Sequence, residues 1–197
     1  MSTKTALLVI DAQNIYTNPN SGLFCPDSKA TIQRINKLTT LFQEKAQPVI
    51  YIRHEHKTDG SDLGRLFDFT GTPEPDFNFK EGSDEVKFDQ ELLQLKSSLI
   101  VTKSRYSSFA GTNLNLELQQ LGVNRVVICG FMTNFCCEST ARAALDLDYY
   151  VDFIADATGT PGTETINENE MRRIVSELLS AGFARVHETD SFIDAEK

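Results

Sequence analysis

Three residues far apart in the chain carry the chemistry this sequence can do: Asp11, Lys103 and Cys136. A cysteine attacks as its thiolate, which a helix N-terminus and a nearby cation both favour. The apolar residues 126–129 read as a buried strand that Gly130 ends, and from Asn134 or Phe135 to about Asp148 the composition turns helical. Cys136 therefore falls in the first turn of a helix, beside unpaired backbone N–H groups and the positive end of the dipole. Asp11 and Lys103 stand just past two other apolar runs, 6–10 and 98–102. Taken singly, each has a plain explanation: an Asp after a strand is a turn residue, a lone Lys is solvated, a lone Cys is core. Together they occupy equivalent places, at the C-terminal ends of strands, where open parallel sheets bind ligands.

Those places converge only if the strands share one parallel sheet, and the rest of the chain predicts that they do. Asp27 or Ser28 caps a helix whose apolar face is Ile32, Ile35, Leu38 and Leu41/Phe42. Strand 49–52 ends at Arg53-His54-Glu55-His56. A helix over 115–121 stops at Gly122. Strand 150–155 ends at Asp156, helix 165–180 precedes Gly182, and 184–187 is a short last strand. Strands alternating with helices predict an α/β fold: a doubly wound, mostly parallel sheet in a three-layer α/β/α arrangement, one domain over 1–197. Residues 57–87 lack periodicity, and a stretch of that length marks function or an interface. Phe67, Phe69, Phe77, Phe79 and Phe88 argue against disorder there and predict packing over the site or on a neighbouring subunit. The apolar surface they would expose predicts a homo-oligomer, a dimer or larger.

A net charge of −9 and a pI near 4.8 argue against nucleic acid or an anionic membrane as partner. No apolar run approaches the roughly 20 residues that span a bilayer, and no leader pattern opens the chain. Cys25, Cys129, Cys136 and Cys137 form neither metal-ligand spacing nor a disulfide framework, so a reduced, cytoplasmic location is expected. There is no glycine-rich dinucleotide or phosphate loop after any strand. Cys136-Cys137 is not a C-x-x-C pair and would close only a small strained ring, against a redox role.

Three blocks then carry a family resemblance. Asp11-Ala12-Gln13-Asn14-Ile15-Tyr16 resembles the D-x-Q-x-x-[FY] opening of the isochorismatase-like cysteine hydrolases. The 103–109 segment, Lys-Ser-Arg-Tyr-Ser-Ser-Phe, is similar to their K-x-x-[YF]-S-x-F. Residues 130–141 match G-x-x-T-x-x-C-x-x-x-T-A at the right spacing. The blocks fall in the family's order and span nearly the whole chain. The resemblance implies the doubly wound sheet and an Asp11–Lys103–Cys136 triad. Asp11 is then general base and later acid, Lys103 holds Asp11 and favours the thiolate, and Cys136 forms a thioester that water hydrolyses. It further implies a cis peptide before Met132, with the N–H groups of Met132 and Cys136 as the oxyanion hole.

The substrate so implied is a small molecule with an amide, carbamoyl or ureido C–N bond, contacted by Gln13, Tyr16, His54, Tyr106 and a lid residue, Phe24. Members that hydrolyse the isochorismate vinyl ether lack the cysteine. That ether chemistry, or a retired binding or structural role, is the alternative. Nicotinamidases of the family bind a metal through Asp-x-His and a further His. Here the element is His54-Glu55-His56, and only His187 remains elsewhere. No third ligand is evident, so neither metal nor other cofactor is expected, with His54 facing the pocket and His56 the solvent.

Overall fold

The computed structural model describes residues 4–68 and 76–197; Phe69 lies outside them. In chain order the elements are β1 (Thr5–Ile10), α1 (Asn14–Thr17), α2 (Ser28–Glu44), β2 (Val49–His54), β3 (Leu99–Lys103), α3 (Leu114–Gln120), β4 (Arg125–Phe131), α4 (Glu138–Asp146), β5 (Tyr150–Gly159), α5 (Glu168–Ser180), β6 (Arg185–His187) and α6 (Thr189–Glu196). The strands pair in parallel throughout, in the order β3-β2-β1-β4-β5-β6. The chain builds outward from β1 to β3, then restarts at β4 and builds the other way. The reversal leaves a crevice at the C-terminal ends of β1 and β4.

Helices cover both faces, which is why every residue of β1 is buried rather than every second one. Leu7 and Val9 pack with Ile35, Leu38, Phe42 and Phe192 from α2 and α6. Ala6, Leu8 and Ile10 point the other way, onto Leu118, Ala141, Ala144 and Val175 from α3, α4 and α5. No helix among the described residues is long and apolar enough to cross a membrane.

Several boundaries differ from the sequence expectation. Gly130 does not end β4. It sits inside the strand at φ +123°, paired with Ile10, and a Cβ there would lie 1.9 Å from the Ile10 carbonyl oxygen. β1 and β4 can run this close only without a side chain at that point. Gly130→Ala is expected to cost on the order of 3 kcal/mol or more, since neither backbone can retreat. A thermal melt reads this directly, and an unchanged midpoint would refute it. β5 runs past Ala155 to Gly159 because its register on β4 slips: Ile128 faces Phe153, but Gly130 faces Thr158. α5 starts at Glu168, not 165, because Asn167 caps it, its Oδ1 accepting the Glu170 N–H at 3.0 Å. The helices α1 and α6 were not legible in the periodicity.

Candidate active site

β1, β3 and β4 deliver three side chains to one point. The chain leaves β1 through Asp11 at φ +47°, a left-handed turn that Asp tolerates better than most residues. The Asp11 N–H still donates to Ile52 O at 3.0 Å, so the turn stays tied to β2. Lys103 closes β3 with its ammonium inside the protein. Its Nζ lies 2.7 Å from Asp11 Oδ2, 3.3 Å from Cys136 Sγ and 3.1 Å from the Arg105 carbonyl oxygen. The side chains of Asp11 and Lys103 are both fully buried, and Asp11 Oδ1 has no protein partner. Cys136 belongs not to the first turn of an α-helix but to a π-helical turn, Thr133–Cys137, that leads into α4. Such wide turns are rare and often mark functional positions.

Burial decides the charges. It pushes the Cys136 thiol up to about 12, against the pull of Lys103 and with a further push from Asp11. Desolvation therefore outweighs the cation that the sequence reading counted on to favour the thiolate. Burial also raises the Asp11 carboxyl, although Lys103 opposes it. Burial works against the charged form of Lys103 too, but the Asp11 carboxylate and Cys136 beside it prevail and hold it above the ordinary lysine value. The resting cluster is a carboxylate, an ammonium and a thiol. Its arrangement suits a thiol that loses its proton to Asp11 as it attacks.

The cluster opens on a cavity of about 350 Å³. Tyr16, Leu23, Phe67, Phe79, Met132 and Phe135 supply apolar wall, and Tyr106, His54 and Cys136 also line it. Tyr16 stacks on Phe131, with ring centroids 5.5 Å apart and planes 9° apart. The Phe131–Met132 peptide is cis. Two expected contacts lie elsewhere. Gln13 is buried and spent on the fold, its Nε2 donating to His54 O and Val86 O and its Oε1 accepting the His54 N–H. Phe24 lines a separate surface cleft with Pro19, Pro26 and Ile32, and Leu23, its neighbour, reaches the catalytic cavity instead.

Described residues on both sides of 69–75, Leu66 and Phe67 before it and Asn78 and Phe79 after it, line this cavity. Phe79 is buried and stacks on the His54 ring at 4.3 Å; Phe67 and Phe77 meet His56 edge-on; Phe88 packs on Tyr51. These rings do not supply the exposed apolar surface on which a homo-oligomer was argued. Among the described residues the exposed large apolar side chains are others, such as Ile100, Leu116 and Tyr150.

His56 is corrected as well: it is fully buried, its Nε2 3.0 Å from His54 Nε2. Two imidazoles this close suggest a shared cation, and a Zn²⁺ site needs at least one more protein ligand. Among the described residues, the one cluster of three donor groups is Asp11, His54 and Cys136, whose atoms lie within 4.8 Å of one another, and it excludes His56. The Lys103 ammonium already contacts two of those three donors. The described residues do not fit a resident metal.

Comparison with known proteins identifies a family. The model of the isochorismatase domain matches residues 5–191. Nicotinamidase 3 of Arabidopsis thaliana is 31% identical over 191 residues, covering 94% of this chain and 85% of that protein. A ureidoacrylate amidohydrolase of Azorhizobium caulinodans is 28% identical, covering 84% of this chain and 80% of its own length. Among solved structures, a cysteine hydrolase from Pseudomonas syringae pv. phaseolicola superposes with a TM-score of 0.89 at 28% identity, covering 98% of this chain and 92% of that one.

Proposed function

We propose that this chain, which belongs to the isochorismatase family and is a hydrolase, cleaves a C–N bond of a small uncharged amide, carbamoyl or ureido compound through a thioester on Cys136. The observation that carries the reading is the buried contact of one ammonium with both a carboxylate and a thiol, Lys103 with Asp11 and Cys136. Asp11, more basic than an exposed carboxylate, takes the thiol proton as Cys136 Sγ attacks the carbonyl carbon. Lys103 remains protonated and holds Asp11 in place. The N–H groups of Met132 and Cys136 receive the oxyanion, a contribution of roughly 3–4 kcal/mol for one such donor. Asp11 then returns the proton to the leaving nitrogen, and the amine departs. Water adds to the thioester with its proton passing to Asp11, the acid leaves, and Cys136 recovers its proton.

The absence of charge on the substrate follows from the wall. No Lys or Arg lines the cavity among the described residues, the 69–75 segment has none in its sequence, and Lys103 is engaged. A substrate carboxylate would be desolvated there without a counter-ion. A nicotinamidase and a ureidoacrylate amidohydrolase among the relatives support C–N cleavage as the reaction class. The test is ammonia release from a panel of primary amides, carbamoyl compounds and ureides, each offered in uncharged and carboxylate-bearing forms. Release is expected from uncharged members, with an acyl adduct on Cys136 by mass spectrometry after rapid quench, and it should survive exhaustive chelation. Ammonia from none of them, or a loss on chelation that stoichiometric zinc restores, would overturn the reading.

A further inference from the structure

We propose that Asp62, His56 and His54 form a chain that fixes His54 as the acceptor for an N–H of the leaving group, making the site selective for amides over esters. This rests on the C–N reading above. His54 Nε2 and His56 Nε2 stand 3.0 Å apart, a contact two imidazoles can make only if one brings a proton and the other a lone pair. The Asp62 carboxylate lies 3.5 Å from His56 Nδ1, without a hydrogen bond to it, and its charge favours a proton on that nitrogen. His56 Nε2 is then the acceptor and His54 Nε2 the donor, which leaves His54 Nδ1 bare.

That nitrogen is buried and has no protein partner. A second protonation would not satisfy it. Burial, Lys103, His56 and Arg105 all disfavour the charged ring, and Asp62 faces His56 rather than His54. The ring cannot turn away either. Phe79 stacks on it at 4.3 Å and 14°, and Gln13 holds the His54 backbone at both its N–H and its carbonyl. His54 lines the cavity and offers a ring nitrogen within 4.8 Å of Cys136 Sγ and the Asp11 carboxylate. With Nε2 turned to His56, we place the bare Nδ1 beside the nucleophile, where a donor on the departing group meets it. An amide or ureide nitrogen brings N–H bonds, whereas an ester oxygen brings none. Asp11 supplies the proton to the leaving atom in either case, so His54 adds discrimination and His56 and Asp62 are positioning residues.

The experiment compares the best primary amide of the panel with the methyl ester of the same acid, in the unaltered protein and in His56→Asn and Asp62→Asn. His56→Asn should lower kcat/KM for the amide at least tenfold and change that for the ester less than threefold. Asp62→Asn keeps an oxygen for the Lys57 N–H that Asp62 accepts at 3.0 Å, and should shift the ratio about threefold in the same direction. If His56→Asn does not fold by thermal melting, Asp62→Asn decides alone. Equal falls on amide and ester, or an unchanged amide rate, would overturn the proposal. Failure of the unaltered protein on every amide would instead sink the C–N reading and this inference with it.

Discussion

Asp11→Asn is expected to separate thiol reactivity from turnover: kcat falls by two to four orders of magnitude while Cys136 is alkylated by iodoacetamide faster than before. The first effect follows from losing the group that accepts and returns the proton. The second follows from charge, since the Asp11 carboxylate is one of the forces holding the Cys136 thiol up near 12 and Lys103 still pulls it down. Removing the anion leaves the cation to favour the thiolate. In the unaltered protein the active form carries Asp11 ionised. kcat/KM should therefore rise as pH climbs through the Asp11 pKa, which burial places above the ordinary carboxylate value, and then level off. In Asp11→Asn the acid limb moves to the thiol itself, and the residual rate should keep rising through neutral pH. If alkylation and turnover fall together, the Asp11 charge is not what holds the thiol up, and the expected separation fails.

What the sequence made legible, and what it hid, follows from how far each feature reaches along the chain. Strands buried on both faces show as uninterrupted apolar runs, so β1, β2 and β4 were readable within a residue or two, and the edge strand β3 was readable from its short Leu-Ile-Val run although alternate residues of it are exposed. Their C-terminal ends placed Asp11, Lys103 and Cys136 on one sheet edge. The loops gave no such signal. His56 is buried because its N–H donates to Phe79 O and its carbonyl accepts from the Glu81 N–H, and nothing near His56 in sequence announces partners in that later stretch. Leu23 rather than Phe24 faces the cavity because Cys25 N–H ties back to Tyr16 O, fixing which side of the loop turns inward. The resting state of the thiol was hidden for a related reason. A lysine is visible in a sequence, whereas the depth of burial that outweighs its pull is a property of the assembled layers.

Lys103→Met should be the most damaging change to stability at the site, and its pH dependence identifies the cause. Asp11 and Lys103 neutralise each other at full burial, 2.7 Å apart. Removing the ammonium leaves a buried carboxylate with no counter-charge, a loss of about 3–5 kcal/mol for a broken buried pair. The remaining carboxyl loses the one charge that opposed its burial, so its folded pKa rises further above the unfolded value. Between those two values the folded variant binds a proton that the unfolded chain does not. Its stability therefore falls as pH rises through that window, by up to about 1.4 kcal/mol per unit. In the unaltered protein Lys103 narrows that Asp11 window without closing it, and Lys103 is itself held above the ordinary lysine pKa. Its contribution is complete below that ordinary value and is lost only as pH climbs through the raised folded one. Denaturant unfolding between pH 4 and 8 should show Lys103→Met steepest and weakest at the alkaline end. Asp11→Asn combined with Lys103→Met should recover most of the stability and none of the activity, since the unpaired charge is gone but so are the base and the cation. A double variant no more stable than Lys103→Met alone would show that the lysine stem, rather than its charge, supports the crevice.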